Sequence, residues 1–449
     1  METISFENIN VEGLSFQKIK NLSIQHTVNT HGTCHVEGVM WQWDAEQMLK
    51  RADEHSALQI TTTAAGQKRR LFYGAIQSIR MEKENDYAIM VIDGITSSGR
   101  LDTRKENRTF QKTTQTYKDL ISQLLAERGT VQITVSDKQV GSFIIQCDET
   151  DWEFIVRMAS QLGAPACINI VSETPQIYIG IPPAQGVVSV DTAFVGAGKE
   201  ILDTGGAIQQ ISTYEYAYLG QKLQLNGKGY YIRSVQADLV DGLLECRYCI
   251  SAPTGFQVPK IANRQASGRM IKGEVKKVEK DKVQVHFSSL GESYDDGGDW
   301  MFPYATAYSS QDGSGWYSMP AEGDEVRVFF PSGDEGEAFA AGAVAKHVRE
   351  KTTDKAWRGI NGKEILMTEE GLIITCKDQE IYIDLSDEKG INIVSSRNIN
   401  VTSGANITLS AGKILKIVAE KEVVLGTAEA HINVRQDGIN ITGQEIVLA

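Results

Sequence analysis

From residue 383 to the end of the chain, apolar residues recur every eight positions. The first column of this repeat consists of Ile383, Ile391, Ile399, Ile407, Leu415 and Val423. The second column lies two residues later and consists of Leu385, Ile393, Val401, Leu409, Ile417 and Leu425. The register then moves by one residue, to Ile432 and Val434, and returns at Ile439 and Ile441. Because most residues between the columns are polar or turn-forming, few folds are compatible with this pattern.

Each octad predicts one short strand followed by a bend. Its two apolar residues are two positions apart and therefore face the same side of a strand. A strand with one narrow apolar face cannot fold alone and has to be covered by other strands. A β-helix wound from one chain needs several strands in each coil, whereas an octad supplies only one. We therefore predict a triangular needle of three intertwined chains, with both columns, Ile439 and Ile441 in its core, and an obligate homotrimer.

Ahead of the repeat, the chain is predicted to be mainly β, because runs of alternating apolar residues are separated by Gly, Asn and Asp. Two helices interrupt the strands, near residues 116–128 and 151–162. Each helix begins with a capping box, formed by Thr116 with Asp119 and by Thr150 with Glu153. A polar linker at 256–268 precedes a compact segment, 269–345, whose five or so short strands predict a small OB-type barrel.

The net charge, the distribution of apolar residues and the N-terminal segment argue against several classes of protein. The net charge of -13 argues against a nucleic-acid-binding surface, which needs clustered Lys and Arg. No apolar run is long enough for a transmembrane helix, and residues 1–16 do not resemble a signal peptide. We therefore expect synthesis in the cytoplasm. The six cysteines are sparse and are expected to be buried free thiols.

Several short motifs precede the octads in a fixed order along the chain. They are Leu71–Ile76, Asp148–Phe154, Trp300–Pro303, Pro320–Val326, Phe330–Asp334 with Gly342, and Asn361–Ile365. In this order, and with the octads after them, these motifs resemble the VgrG family and related spike proteins of phage tails and contractile injection systems.

The resemblance implies a fused hub and spike. Residues 1–255 would form a tail-hub-like domain with two β-barrel subdomains, 269–345 a collar, 346–382 the lead-in to the needle, and 383–449 the needle. The implied partners are a hexameric tail tube protein or tube initiator, baseplate wedge proteins, a separate PAAR-like tip protein and, as a further option, non-covalently bound effector cargo. The assembled particle would deliver the spike to or through the envelope of a target cell. Whether the machine is a phage tail, a bacteriocin-like particle, a type VI system or an extracellular injection system stays open.

Four motifs suggest chemistry, and each has a simpler interpretation. His31, Cys34 and His35 are of residue types that bind metal ions. However, neighbouring side chains on a strand face opposite sides, which would separate the side chains of Cys34 and His35. Cys246 and Cys249 have redox or zinc spacing without a second pair. Asp295, Asp296 and Asp299 lack the spacing of a calcium loop, and Gly196–Lys199 is too short for a phosphate loop. We therefore expect no catalytic residue, cofactor or metal in these segments.

His431 lies at the register shift and could form a three-fold metal site in a trimer. The partner position Asn433 is not a histidine, so a local bulge is the simpler interpretation. A trimeric tail fibre or adhesin that binds or cleaves glycans is the competing function. It would need exposed aromatic residues along the needle, yet no Phe, Trp or Tyr follows Tyr382.

Overall fold

The computed structural model describes residues 3–64, 66–183, 186–189, 197–201, 207–288, 290, 298–342, 350–377, 380–445 and 447. The chain divides into two compact units, residues 1–344 and 345–449. Strands dominate both units, which confirms the predicted mainly-β class. Within the described ranges, no helix is both long and apolar enough to cross a membrane.

The first unit opens with an antiparallel sheet. Its elements are β1 (Ile9–Val11), β2 (Lys18–Thr27), β3 (Thr33–Trp41), α1 (Gln42–Arg51), β4 (Ala57–Ala64), β5 (Gln67–Glu84) and β6 (Tyr87–Thr96). Helix α1 lies in a segment that the sequence predicts as strands only. The sequence signal for this helix is weak for two reasons. No side chain caps its first turn, and Ala45 is the one described residue of the helix that is fully buried.

A mixed segment follows. It comprises β7 (Lys105–Phe110), α2 (Tyr117–Leu125), β8 (Thr130–Ile133), β9 (Ile144–Thr150), α3 (Asp151–Gln161), β10 (Ala166–Ile168) and β11 (Gln176–Ile179). Both predicted capping boxes are confirmed, at Thr116 with Asp119 and at Thr150 with Glu153. Strands β10, β11 and β8 form a small sheet in which β11 and β8 run parallel, and β7 pairs with β9.

Substituting Thr116 by alanine is expected to lower the free energy of unfolding by about 1 kcal/mol. The Thr116 hydroxyl accepts a hydrogen bond from the backbone N–H of Asp119 at the exposed start of α2, and alanine leaves that donor without its cap. Chemical denaturation followed by circular dichroism measures the difference. Thr116→Ser is the control, because serine keeps the hydroxyl and should cost much less.

The strands that follow the mixed segment return to the first sheet. They are β12 (Val187–Ser189), β13 (Ala197–Ile201), β14 (Ala207–Thr213), β15 (Lys222–Leu225), β16 (Lys228–Val240) and β17 (Leu243–Ser251). In the described residues the sheet order is β1-β4-β5-β6-β3-β2-β16-β17-β14-β13, with β12 and β15 attached beside β16. Pairing of β2 with β16 joins the two halves, and Leu22, Phe72 and Tyr248 belong to one shared core.

A small barrel ends the first unit. Its strands are β18 (Met270–Glu279), β19 (Lys282–His286), β20 (Phe302–Pro303), β21 (Glu325–Phe329) and β22 (Phe339–Ala341). They are ordered β20-β19-β18-β21-β22. The backbone N–H of Ala305 donates to the Ala340 carbonyl at 2.8 Å, and Tyr304 bridges to the same residue. These contacts join the two edge strands and close the sheet.

The barrel shares its core with the preceding segment. Phe143 immediately precedes β9, and its ring centroid lies 5.0 Å from that of Phe302 and 5.5 Å from that of Phe287. Ile145 and Cys147 of β9 are buried in the same apolar cluster. The barrel interior is therefore completed by side chains that lie more than a hundred residues earlier in the sequence.

The second unit contains two antiparallel meanders. The first consists of β23 (Lys355–Arg358), β24 (Glu364–Thr368), β25 (Gly371–Lys377), β26 (Ile381–Ser386) and β27 (Gly390–Ser395), paired in chain order. The second consists of β28 (Glu422–Gly426), β29 (His431–Arg435) and β30 (Gly438–Thr442). Residues 396–421, which are all described, form no strand in the single chain.

Candidate assembly surface

One face of the first meander is apolar across all of its strands. Ile383 lies opposite Ile374 on one side and Ile393 on the other, and Leu385 lies opposite Leu372 and Ile391. Residues that are opposite each other in neighbouring strands share one face of a sheet. The register therefore extends this face to β23 and β24, whose contributions are Trp357, Ile365 and Met367. We call these nine residues the lead-in face.

The lead-in face is largely open to solvent in the single chain. The exposed fraction is 72% for Ile391, 58% for Ile393 and 54% for Met367. The opposite face is mixed, because Asp384 and Asn392 share it with Leu366 and Ile373. A contiguous exposed apolar surface of this kind marks an interaction site in a soluble protein.

The octad pattern alone identifies only part of the lead-in face. It finds the four members on β26 and β27 but misses the five on β23–β25. These earlier residues do alternate along their strands, as Leu372 and Ile374 show. Their loops differ in length from the later ones, so the eight-residue period does not reach them. Alternation, rather than the octad, is the signal that could have found them.

The second meander has an apolar face of its own. Leu425 pairs with Ile432, which pairs with Ile441. Val423, Val434 and Ile439 form the second such row. The one-residue shift in the repeat is therefore a consequence of two hairpin turns that keep these six residues on the same face.

His431 lies on the other face of the second meander. It sits opposite Gly426 and Thr442, at the end of β29 that is remote from the ion pair between Arg435 and Glu422. In this pairing of β28, β29 and β30, His431 therefore points away from the apolar rows. Among the described residues no group of three or more His, Cys, Asp or Glu side chains is placed to hold a metal ion.

The middle octads differ from the predicted structure. We expected one strand in each octad, yet the single chain forms none between β27 and β28. The side chains of the middle columns are exposed, with fractions of 74% for Val401, 68% for Leu409 and 52% for Ile417. An isolated strand with one narrow apolar face has nothing to pair with and nothing to cover it, which accounts for the difference.

A buried ion cluster lies where α3 and β9 pack against the barrel. Arg157 of α3 is 2% exposed. Its Nε and Nη2 donate to the two carboxylate oxygens of Glu149 at 2.7 Å each, and its Nη1 donates to Glu335 Oε1 at 2.7 Å. Burial lowers the pKa of Arg157, but the charges of Glu335 and Glu149 outweigh it and hold the pKa above its usual range. Because Glu335 follows β21 of the barrel, the cluster ties α3 and β9 to the barrel.

The cysteine and histidine motifs do not converge. Cys34 is buried in the core of the first sheet, whereas His35 is partly exposed and places Nδ1 2.7 Å from Asp93 Oδ1. Cys246 is fully buried, and burial raises the pKa of its thiol to about 12. Cys249 is only partly buried, so the two cysteines of that motif sit in different environments.

The two remaining motifs give no further site. Gly198 and Lys199 lie on β13, which is a strand rather than a phosphate-binding turn. Asp299 is exposed, while Gly196, Asp295 and Asp296 lie outside the described residues.

One hydrogen-bonded chain resembles a hydrolase triad, although the sequence did not indicate it. Nδ1 of His31 lies 2.8 Å from Ser98 Oγ, and Nε2 lies 3.3 Å from Asp102 Oδ2. However, Ser98 is 0% exposed, and its hydroxyl also lies 2.8 Å from Thr96 Oγ1. A substrate carbonyl cannot reach a fully enclosed nucleophile, so this chain of hydrogen bonds has the character of a structural contact.

Comparison with solved structures finds proteins with a similar fold. The E. coli c3393 protein, a type VI secretion component with structural similarity to the T4 bacteriophage tail proteins gp27 and gp5, is 13% identical, with 74% of this chain and 98% of that chain covered and a TM-score of 0.52. The half-lidded Francisella PdpA-VgrG complex is 11% identical over 88% of each chain, with a TM-score of 0.53. Its lidded form is 10% identical, with 86% and 79% covered and a TM-score of 0.52.

No protein-family model and no curated protein matches the chain. At these identities the structural likeness concerns the fold. The chain has a VgrG-like fold, which confirms at that level the resemblance drawn from the sequence motifs.

Proposed function

We propose that the chain is the homotrimeric hub and spike of a contractile injection machine. The observation that carries this proposal is the pair of apolar sheet faces in the second unit, both of them open in the single chain. A monomer that exposed them would associate in water, because burial of apolar surface is favourable by about 25 cal/mol per Å². Three copies supply the missing cover.

The segments take the following roles in this proposal. Residues 1–255 form the hub that contacts a tube protein and baseplate proteins, 256–268 link it to the collar at 269–345, and 346–382 lead into the needle at 383–449. A separate tip protein would close the needle. Contraction would drive the assembly into a target envelope, which is a mechanical role without a catalytic step. The VgrG-like fold and the enclosed Ser98 support this interpretation.

Native mass measurement of the full-length protein tests the oligomeric state. We expect a homotrimer that persists on dilution, because the needle core would exist only between chains. A monomer at all concentrations would contradict the proposal.

A second experiment tests the competing glycan-active function. The trimer is incubated with purified surface polysaccharides, and depolymerisation of a polysaccharide would favour the glycan-active function over the purely mechanical one.

A further inference from the structure

A cavity of about 620 Å³ lies within the first unit. It is bounded by β2 and β5 of the first sheet, by the segment around β10 and β11, and by the loop that precedes β15. Cavities of roughly 300–1,000 Å³ with apolar walls and a few converging polar groups are typical of ligand-binding sites.

The first polar group in the cavity is His26. Its side chain is 3% exposed and lines the cavity, and neither ring nitrogen has a hydrogen-bond partner among the described residues. Burial lowers the pKa of His26 to about 4, so the ring is neutral near pH 7. A neutral imidazole offers one N–H donor and one acceptor. Leaving both unused in a buried position is costly, which points to a partner that enters from the cavity.

The second polar group is Arg69. Its Nε donates to the hydroxyl of Tyr218 at 2.9 Å, its Nη1 donates to the Tyr216 carbonyl at 3.0 Å, and the guanidinium lies 4.5 Å from the centre of the Tyr218 ring. These contacts fix the orientation of the Arg69 guanidinium group. A guanidinium has five N–H donors, so others remain for a ligand. No Asp or Glu is among the described residues that line the cavity, and no described carboxylate forms an ion pair with Arg69.

The remaining wall is apolar. Ile168, Ile170 and Leu219 are almost fully buried and line the cavity, together with Val171 and two prolines. The site thus combines a fixed cation, a neutral donor and acceptor, and an apolar wall. A fixed guanidinium without a neighbouring carboxylate selects an anion, and planar carboxylates match its geometry.

We propose that this cavity binds a carboxylate attached to an apolar body, with Arg69 on the carboxylate, His26 on a polar atom of the ligand, and the isoleucine and leucine wall around the body. Such a group occurs in free organic acids and at the C-terminus of a polypeptide. The cavity volume accommodates either source. This site is independent of trimer formation through the needle.

Equilibrium dialysis of the full-length assembled protein with phenylacetate tests this site. We expect saturable binding, and at least about tenfold weaker binding of the neutral analogue phenylacetamide, because a hydrogen bond to a charged group is lost. Arg69→Met should weaken phenylacetate binding by a similar factor. Arg80→Met is the matched control, since Arg80 lies on the same strand, is largely exposed and does not line the cavity. Arg69→Lys keeps the charge without the fork and should fall between wild type and Arg69→Met.

A second pair of probes distinguishes the two sources of the carboxylate. N-acetyl-alanyl-phenylalanine with a free C-terminus is compared with its C-terminal amide. Tighter binding of the free-acid peptide than of phenylacetate supports a polypeptide C-terminus, whereas exclusion of the peptide with retention of phenylacetate supports a free organic acid. Equal binding of acid and amide by the wild-type protein, or no saturable binding of any probe, would overturn the proposal without any reliance on variants.

Discussion

Replacing Arg157 by methionine is expected to lower the free energy of unfolding of the first unit by about 3–5 kcal/mol. Methionine fills much of the same space but leaves the Glu149 and Glu335 carboxylates buried beside each other without a cation. The lost hydrogen bond to the Ile145 carbonyl adds to the cost, because that acceptor lies in the same enclosed space. Thermal and chemical unfolding of the full-length protein, followed by circular dichroism, measures the change.

Two further variants show whether the buried charges are responsible. Combining Arg157→Met with Glu149→Gln and Glu335→Gln removes the unpaired carboxylates and should recover a large part of the lost stability, because an uncharged cluster has no ion to desolvate. Arg247→Met is the matched control. Its ion pair with Asp238 is about half exposed on the arginine side, so its loss should cost no more than about 1 kcal/mol. Equal losses for Arg157→Met and Arg247→Met would show that the cluster contributes no more than a surface pair.

The Arg157 cluster also has a mechanical consequence. A spike under load has to pass force from its hub to its needle without separating the domains between them. Phe143 inside the barrel and Arg157 between Glu149 and Glu335 give the barrel and the preceding segment one common core. In the proposed function, these contacts would keep the collar from rotating or detaching when the tail contracts.

The capping boxes at Thr116 and Thr150 could be predicted because their signals are local: each depends on residues three positions apart, with a spacing fixed by helix geometry. The octad columns are also a local signal, but their role as a needle core stays a prediction, and the single chain forms no strand in the middle octads. Helix α1 could not be predicted in this way, because it lacks a side-chain cap and buries little.

The Arg157 cluster and the His26 cavity could not be predicted for a different reason. Arg157 meets Glu335 across 178 positions of sequence. Arg69 meets Tyr218 across 149 positions. No periodic pattern encodes such pairings, which arise only when segments distant in sequence pack together in the folded chain. Local rules therefore predict the helix caps but not the buried polar sites.

The second large effect is expected in the needle. Substituting Ile399 and Ile407 together by aspartate should abolish the proposed trimer or unravel its needle. Both residues belong to the first apolar column and are more than half exposed in the single chain. In the trimer they would surround the three-fold axis, so six carboxylates would enter an apolar core, at a cost of several kcal/mol for each buried ion. Native mass measurement and resistance of the needle to protease report the result.

The matched control adds the same charge on the other side of the same strands. Asn398 and Asn406 directly precede Ile399 and Ile407, so alternation directs them outward when the isoleucines face inward. Asn398→Asp with Asn406→Asp should therefore leave trimer mass and protease resistance close to wild type, since exposed charges remain hydrated. If both double variants assembled equally well, the apolar columns would not form the core, and the trimer would have to be held by the hub instead. If only the isoleucine variant dissociated, the eight-residue repeat itself would be the determinant of assembly.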